Sequence, residues 1–393
     1  MENIKRSHEE RQQRIAVLTV EQDGFIERFL NTHRYFYVPT TETFVFYDGK
    51  HYSITMEDSI LHHILTTITS ESQLMIWKQR TKVYLMKRIK DQLLTKSIPE
   101  SETIQNVLEN LHPALFETKH EAKYFLTILG DNLLRKRSGE LVHFIPAKAK
   151  AFLREIHNIS QLMFGVNAVQ SFKHKYYDHE YENCRLVSIN DCITTEHIWG
   201  SILRNVSVDM LCVACHYSIR YGSSDDYVSR FSNQDTLESS VFYLRNHTRE
   251  QLVDRFIAEY LEISPVSAEA TKPKSGEMAS ASASASPLNT PPHTGFLTLA
   301  IQQTYGNGET PIPNASSILR LSSRQISWKN MQYLWRHFLD RQRLPTIMFQ
   351  QDLKTFMIEK LADNYREDID GFSGVSSRFM PAIRSFISFW ETN

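Results

Sequence analysis

Apolar positions near the N-terminus change their period within a few dozen residues. FIERFLNTHRYFYVPTTETFVFYDGKHYSI opens as a short helix and passes into two strands, in which Phe44, Phe46 and Tyr52 alternate around an Asp48-Gly49 turn, the pattern of a β-hairpin. Over residues 57–96 the spacing becomes helical: Ile60, Ile64, Leu65 and Ile68 share a face, and residues 74–94 continue as a helix rich in Lys and Arg until Pro99 interrupts it. Ser101 caps a predicted helix that ends near Leu111, another spans about 120–129, and Gly130-Asp131 and Ser138-Gly139 predict turns. Residues 147–164 are predicted helical, while the aromatic and charged stretch up to Asn190 fits neither period. Helices resume over 195–221 and 237–261, and three short ones are expected at 328–339, 352–361 and 377–390.

This periodicity breaks once. SPVSAEATKPKSGEMASASASASPLNTPPH alternates Ser with Ala, adds Pro and holds almost no large apolar residue, the composition of a flexible tether. The expected organisation is a helical domain with an aromatic hairpin at 1–150, a helical middle region at 151–263, a linker at 264–295 and a small helical or winged-helix-like module at 296–393. The fold class is therefore mainly α with a small N-terminal β-hairpin.

Composition narrows the function. A hydrophobic fraction of 41% places the 393-residue chain among folded proteins, and 44 basic against 45 acidic residues leave no global positive field, so any phosphate binding must come from a local patch. The charged start MENIKRSHEERQQR lacks the apolar core of a secretory signal, no uninterrupted apolar run reaches the length of a membrane span, and four cysteines are too few for a disulfide framework. The expectation is a cytoplasmic protein without a membrane partner.

Candidate chemistry is sparse. Cys212-Val-Ala-Cys215-His216 has the spacing of a haem attachment site, but inside the apolar run MLCVACHYSI the packing of small thiols is the favoured reading. Zinc would need those cysteines to be joined by Cys184, Cys192, His179 or His216, and the Cys184–Cys192 pair is separated by seven residues where close pairs have two to four. GxxxxGK[ST], GxSxG, HExxH and GxGxxG are all missing, and Asp225-Asp226 reads as a helix start. The expectation is accordingly no enzyme, no cofactor and no metal.

Basic residues interleaved with aromatic ones remain. WKQRTKVYLMKRIK carries Lys78, Lys82, Lys87 and Arg88 as phosphate contacts and Trp77 and Tyr84 as stacking groups, with Arg135, Lys136 and Arg137 as a second cluster beside a turn. The competing reading is a solvated helix, because the charges of the first cluster spread over much of the helical circumference.

The order of elements resembles the helical domain that precedes the helicase in poxvirus-type primase-helicases of large DNA viruses. The resemblance covers residues 25–145 and rests on the aromatic hairpin YFYVPTTETFVFYDGKHY, the helical run DSILHHILTTI, the basic helix after it and FLTILGDNLLRKRSGELVHF, where those proteins carry a short strand with a Gly-containing turn. The ATPase that should follow lacks its P-loop here. The resemblance implies a viral replication or transcription accessory protein, acting in the host cytoplasm or viral factory by binding DNA or viral replication proteins without catalysis. A structural or protein-interaction component, of the kind packaged in a virion and without direct nucleic-acid binding, is the alternative.

Overall fold

A computed structural model describes residues 2–70, 72–136, 140–230, 235–264 and 325–380. The tether beyond Ser264, Arg137, the Ser138-Gly139 turn and most of the last expected helix lie outside the described residues. The chain divides into two units, one of residues 1–255 and 336–354, the other of 256–335 and 355–393.

The first unit begins with helix α1 (Glu2–Thr32) and three antiparallel strands, β1 (Arg34–Val38), β2 (Thr43–Tyr47) and β3 (Tyr52–Thr55), paired in that order. The expected hairpin is β2–β3, with Tyr47 opposite Tyr52 across a turn in which Gly49 takes φ +101° and the Asp48 carboxylate accepts from the backbone N–H groups of Lys50 and His51. RYFYV supplies a further strand. Its aromatic run hides the alternation because both sheet faces are buried: Tyr35 and Phe44 point into one core, Val38, Val45, Tyr47 and Tyr52 into another. The first core is closed by Phe25 and Phe29 of α1, by Ile60, Ile64 and Ile68 of α2 (Glu57–Ser70), and by Leu85 and Ile89 of α3 (Lys78–Lys90), which follows a 3₁₀ turn at Ser72–Trp77. Apolar residues four apart build each of these helical faces.

The second, larger core gathers α4 (Ser101–Leu111), α5 (Lys119–Leu133), α6 (Lys150–Phe164), α7 (Glu196–Tyr221) and α8 (Ser224–Arg230) around a short parallel sheet of β4 (Val142–Phe144), β5 (Phe172–Lys173) and β6 (Cys184–Leu186), in the order β5-β4-β6. Strands of two or three residues are too short to display a period, which is why the stretch up to Asn190 resisted classification. Thr118 and Glu121 cap α5 reciprocally. By length and hydropathy α7 is apolar enough to cross a bilayer, and 61% of its most apolar window is buried within the protein.

Gly130 and Asp131 sit inside α5 and not in the expected turn. Glycine is required there by a close crossing: a Cβ at position 130 would lie 2.0 Å from the Ala214 carbonyl oxygen of α7. Asp131 then fastens the end of α7 to the start of α8, accepting from Ser218 Oγ at 2.6 Å and from Ser224 N at 2.7 Å. Burial raises its carboxyl above the ordinary value of 3.8. Asp131→Ala leaves both donors buried without this acceptor and is expected to lower unfolding free energy by about 2 kcal/mol. A raised acid binds more protons in the native than in the unfolded state, so its contribution falls as pH rises through the interval above 3.8. The deficit of the variant in urea titrations should therefore be largest at the acid end and narrow toward neutrality.

Where one helix was expected at 237–261 there are two, α9 (Asp235–Val241) and α10 (Arg249–Tyr260). The second starts afresh because Thr248 and Gln251 exchange backbone and side-chain hydrogen bonds, a capping box inside the apparent period. In the second unit β7 (Glu262–Ile263) pairs with β11 (Val375–Ser376), and β8 (Gln325–Ser327), β9 (Tyr365–Arg366) and β10 (Gly371–Ser373) form an antiparallel sheet in the order β8-β10-β9. The expected helices near 328 and 352 run over Trp328–Arg341 and Gln350–Lys360.

Candidate nucleic-acid interface

Helix α3 carries six basic residues and no acidic one. Thr81, Leu85, Met86 and Ile89 turn into the core, with Thr81 accepting from the buried Gln22 of α1 at 2.8 Å. That anchoring fixes which charges face outward. Arg80, Lys87, Arg88 and Lys90 are exposed together with Tyr84 and Val83, whereas Lys78 and Lys82 are half-buried at the edge of the buried face. Lys78 donates to Thr69 Oγ1 at 2.9 Å, and the Arg80 guanidinium lies 4.4 Å from the centre of the half-buried Trp77 ring. Trp77 is thus already covered by a cation on one face, which leaves Tyr84, 48% exposed, as the aromatic surface open to a ligand. Lys90 stands 3.8 Å from Glu57; for Arg80, Lys82, Lys87 and Arg88 no carboxylate comes within ion-pair distance among the described residues.

The second predicted cluster separates into different roles. Lys136 donates to the carbonyl oxygens of Ser218 and Gly222, where an ammonium complements the negative end of α7, so it is engaged in holding the fold. Arg135 is exposed, has no carboxylate partner among the described residues and takes φ +54° just past the end of α5. The Lys136 N–H reaches back to the Asp131 carbonyl in the six-to-one bond of a Schellman ending, which normally puts glycine where Arg135 stands.

Tyr37 connects the two clusters. Its ring receives Lys90 Nζ at 5.6 Å, its backbone N–H donates to Gln92 O just beyond α3, and it lines a cavity of about 230 Å³ that also includes Arg135. Val38, Pro39, Leu93, Leu133, Phe164 and Val166 make the walls apolar, Thr40 and Thr95 add hydroxyls, and Arg135 is the only charged residue among the described lining. These side chains come from four distant segments, so no local pattern announced the cavity. Tyr37 to Thr40 lie in the aromatic stretch and Arg135 in the second basic cluster, but nothing in sequence brings those two stretches together with Leu93, Thr95, Phe164 and Val166.

The cysteine candidates do not converge. Cys184, Cys212 and Cys215 are buried and Cys192 is exposed. Burial pushes the Cys215 and Cys184 thiols up to about 12 and Cys212 well above its usual value, which keeps all three protonated at neutral pH. Among the described residues no three His, Cys, Asp or Glu side chains group as metal ligands. His51 pairs instead with the buried Asp209, which also accepts from Tyr52 N at 2.7 Å and so ties the hairpin to α7. Comparison of the chain with protein-family models, with curated proteins and with solved structures finds no match.

Proposed function

We propose that the first unit binds nucleic acid through the outward side of α3 and Arg135, holding a strand in place without reacting with it. The observation that carries this reading is the charge arrangement of α3. A merely solvated helix is stabilised by opposite charges four residues apart and by anions near its start. Here Lys78 and Lys82 are like charges at that spacing, Lys78 and Arg80 crowd the positive end of the helix, and no acidic residue relieves them. Lys87, Arg88 and Lys90 do complement the C-terminal end, so helix stability explains half of the charge. The other half, Lys78, Arg80 and Lys82, opposes the helix dipole and is met by the Thr69 hydroxyl and the Trp77 ring but by no carboxylate among the described residues, which an anion would improve. In this role the chain serves replication or transcription as an accessory.

A second reading, recognition of another protein, is favoured by α1. Residues 5–17 of that helix are almost wholly exposed, and Ile15, Val17 and Val20 lie open at 44%, 61% and 73%. The two readings separate with salt. Anisotropy of labelled single-stranded, forked and duplex DNA should show binding whose logarithm falls linearly with the logarithm of salt concentration. Absence of any binding at low salt rules out the nucleic-acid reading and leaves α1 as the working surface.

Arg135→Gly supplies an independent check. A left-handed residue other than glycine costs on the order of 1–2 kcal/mol, so the variant should melt at a higher temperature while binding DNA several-fold more weakly at low salt. Improved stability with unchanged affinity would remove Arg135 from the interface.

A further inference from the structure

We infer that the cavity beneath Tyr37 takes a single unpaired nucleobase, so that the protein prefers single-stranded nucleic acid to blunt duplex. This rests on the proposed nucleic-acid reading and adds which form is bound and where a base goes. The cavity is apolar on most of its wall, and its volume of about 230 Å³ falls below the range of drug-sized ligand sites, on the scale of one base. Arg135 stands exposed among its lining residues, and Lys90 lies 5.6 Å from the ring centre of the lining residue Tyr37, so a second cation neighbours one of the residues of the cavity. A strand running along Lys87, Arg88 and Lys90 therefore reaches the cavity with its phosphates still opposed by positive charge. Leu93 and Val166 are half-buried, which leaves aliphatic surface of the cavity open to a base without a backbone movement. A duplex keeps its bases stacked and paired and cannot fill this space without opening.

No acidic residue appears among the described lining, so a cationic ligand finds no counter-charge there. An apolar ligand without an anionic group would leave Arg135 and the α3 cations without a role. The occupant that uses both the apolar walls and the cations is a base attached to its phosphate.

Two measurements test this with the full chain. In the first, wild-type protein is titrated against single-stranded and blunt duplex DNA of equal length at one salt concentration, alongside Thr95→Trp, which fills the cavity without changing charge. The expected result is single-strand binding about tenfold tighter than duplex binding in the wild type, and loss of that ratio in the variant with duplex affinity unchanged. Equal affinity of the wild type for both forms overturns the inference, as does a ratio that survives filling the cavity. In the second, only wild-type protein is used, with single strands bearing one abasic site moved stepwise along the oligonucleotide. Phosphate charge is constant in that series, so a loss of about tenfold confined to one position supports a base-holding cavity, and a flat profile overturns it. If neither form of DNA binds at low salt, the nucleic-acid reading fails first and this inference fails with it. If both bind with a salt dependence but indistinguishably, only the inference fails.

Discussion

Lys87→Glu combined with Arg88→Glu is expected to weaken DNA binding on the order of a hundredfold at low salt and to lower the salt slope by about two. Both side chains are exposed on the last turn of α3 and neither has a carboxylate partner among the described residues, so the substitution breaks no internal ion pair. Each loss removes one phosphate contact with its counterion release, and each new carboxylate adds repulsion from the same phosphates. The cost to the fold is small by comparison, since two acids at the end of a helix oppose its dipole by about 1 kcal/mol each, against a typical domain stability of about 5–15 kcal/mol. Anisotropy over a salt series, with circular dichroism to verify folding, reads both quantities. A folded variant that binds as tightly as wild type, with the same slope, would place the interface elsewhere.

Gly130→Ala should have the largest effect on stability, on the order of 3–5 kcal/mol, seen as a drop of roughly 10 °C in the midpoint of thermal unfolding. The added methyl would sit 2.0 Å from the carbonyl oxygen of Ala214, 2.6 Å from its carbon and 2.7 Å from Ser218 Cβ. Two of these are backbone atoms in the middle of α7, so no rotamer change relieves the overlap and the helices must move apart. That separation loosens the packing around Met210, Cys215 and Tyr217, all buried in the same core. Gly200 provides the control on the same helix: a Cβ there meets only a flexible guanidinium at 3.9 Å, and alanine should be neutral or mildly stabilising. A midpoint for Gly130→Ala within a degree or two of wild type would contradict the close crossing.

Much of the helical layout could be read directly from periodicity, because faces such as Ile60, Ile64 and Ile68 repeat over several turns and bury as one stripe. The errors lie where tertiary contact overrides a local cue. Gly130 has the chemistry of a turn residue, yet its lack of a side chain serves α7, whose approach is invisible from the local sequence. Thr248 interrupts an apolar period that continues across it, and only the cap reveals two helices. Of the interface, the α3 charges were legible as a cluster, but their division into inward and outward sets depends on where Thr81 and Leu85 are anchored. Lys136 looked equivalent to Arg135 in sequence, and the fold gives one to a helix terminus and leaves the other exposed beside a cavity.

The sheet buried on both faces carries a consequence for how strand alignment is enforced. In most sheets a slip of one residue is prevented because it would expose apolar side chains and bury polar ones. Along YFYV and TFVFY such a slip exchanges one large apolar residue for another, so hydrophobicity hardly opposes it. The phenol of Tyr47 supplies the missing discrimination. Its oxygen donates to Gly49 O at 2.9 Å, accepts from Glu100 N at 2.8 Å and meets Thr103 Oγ1 at 2.8 Å. A shift of β2 past α4 would bury that hydroxyl among hydrocarbon with its Glu100 and Thr103 partners lost, which makes one polar atom the check on where the central strand sits.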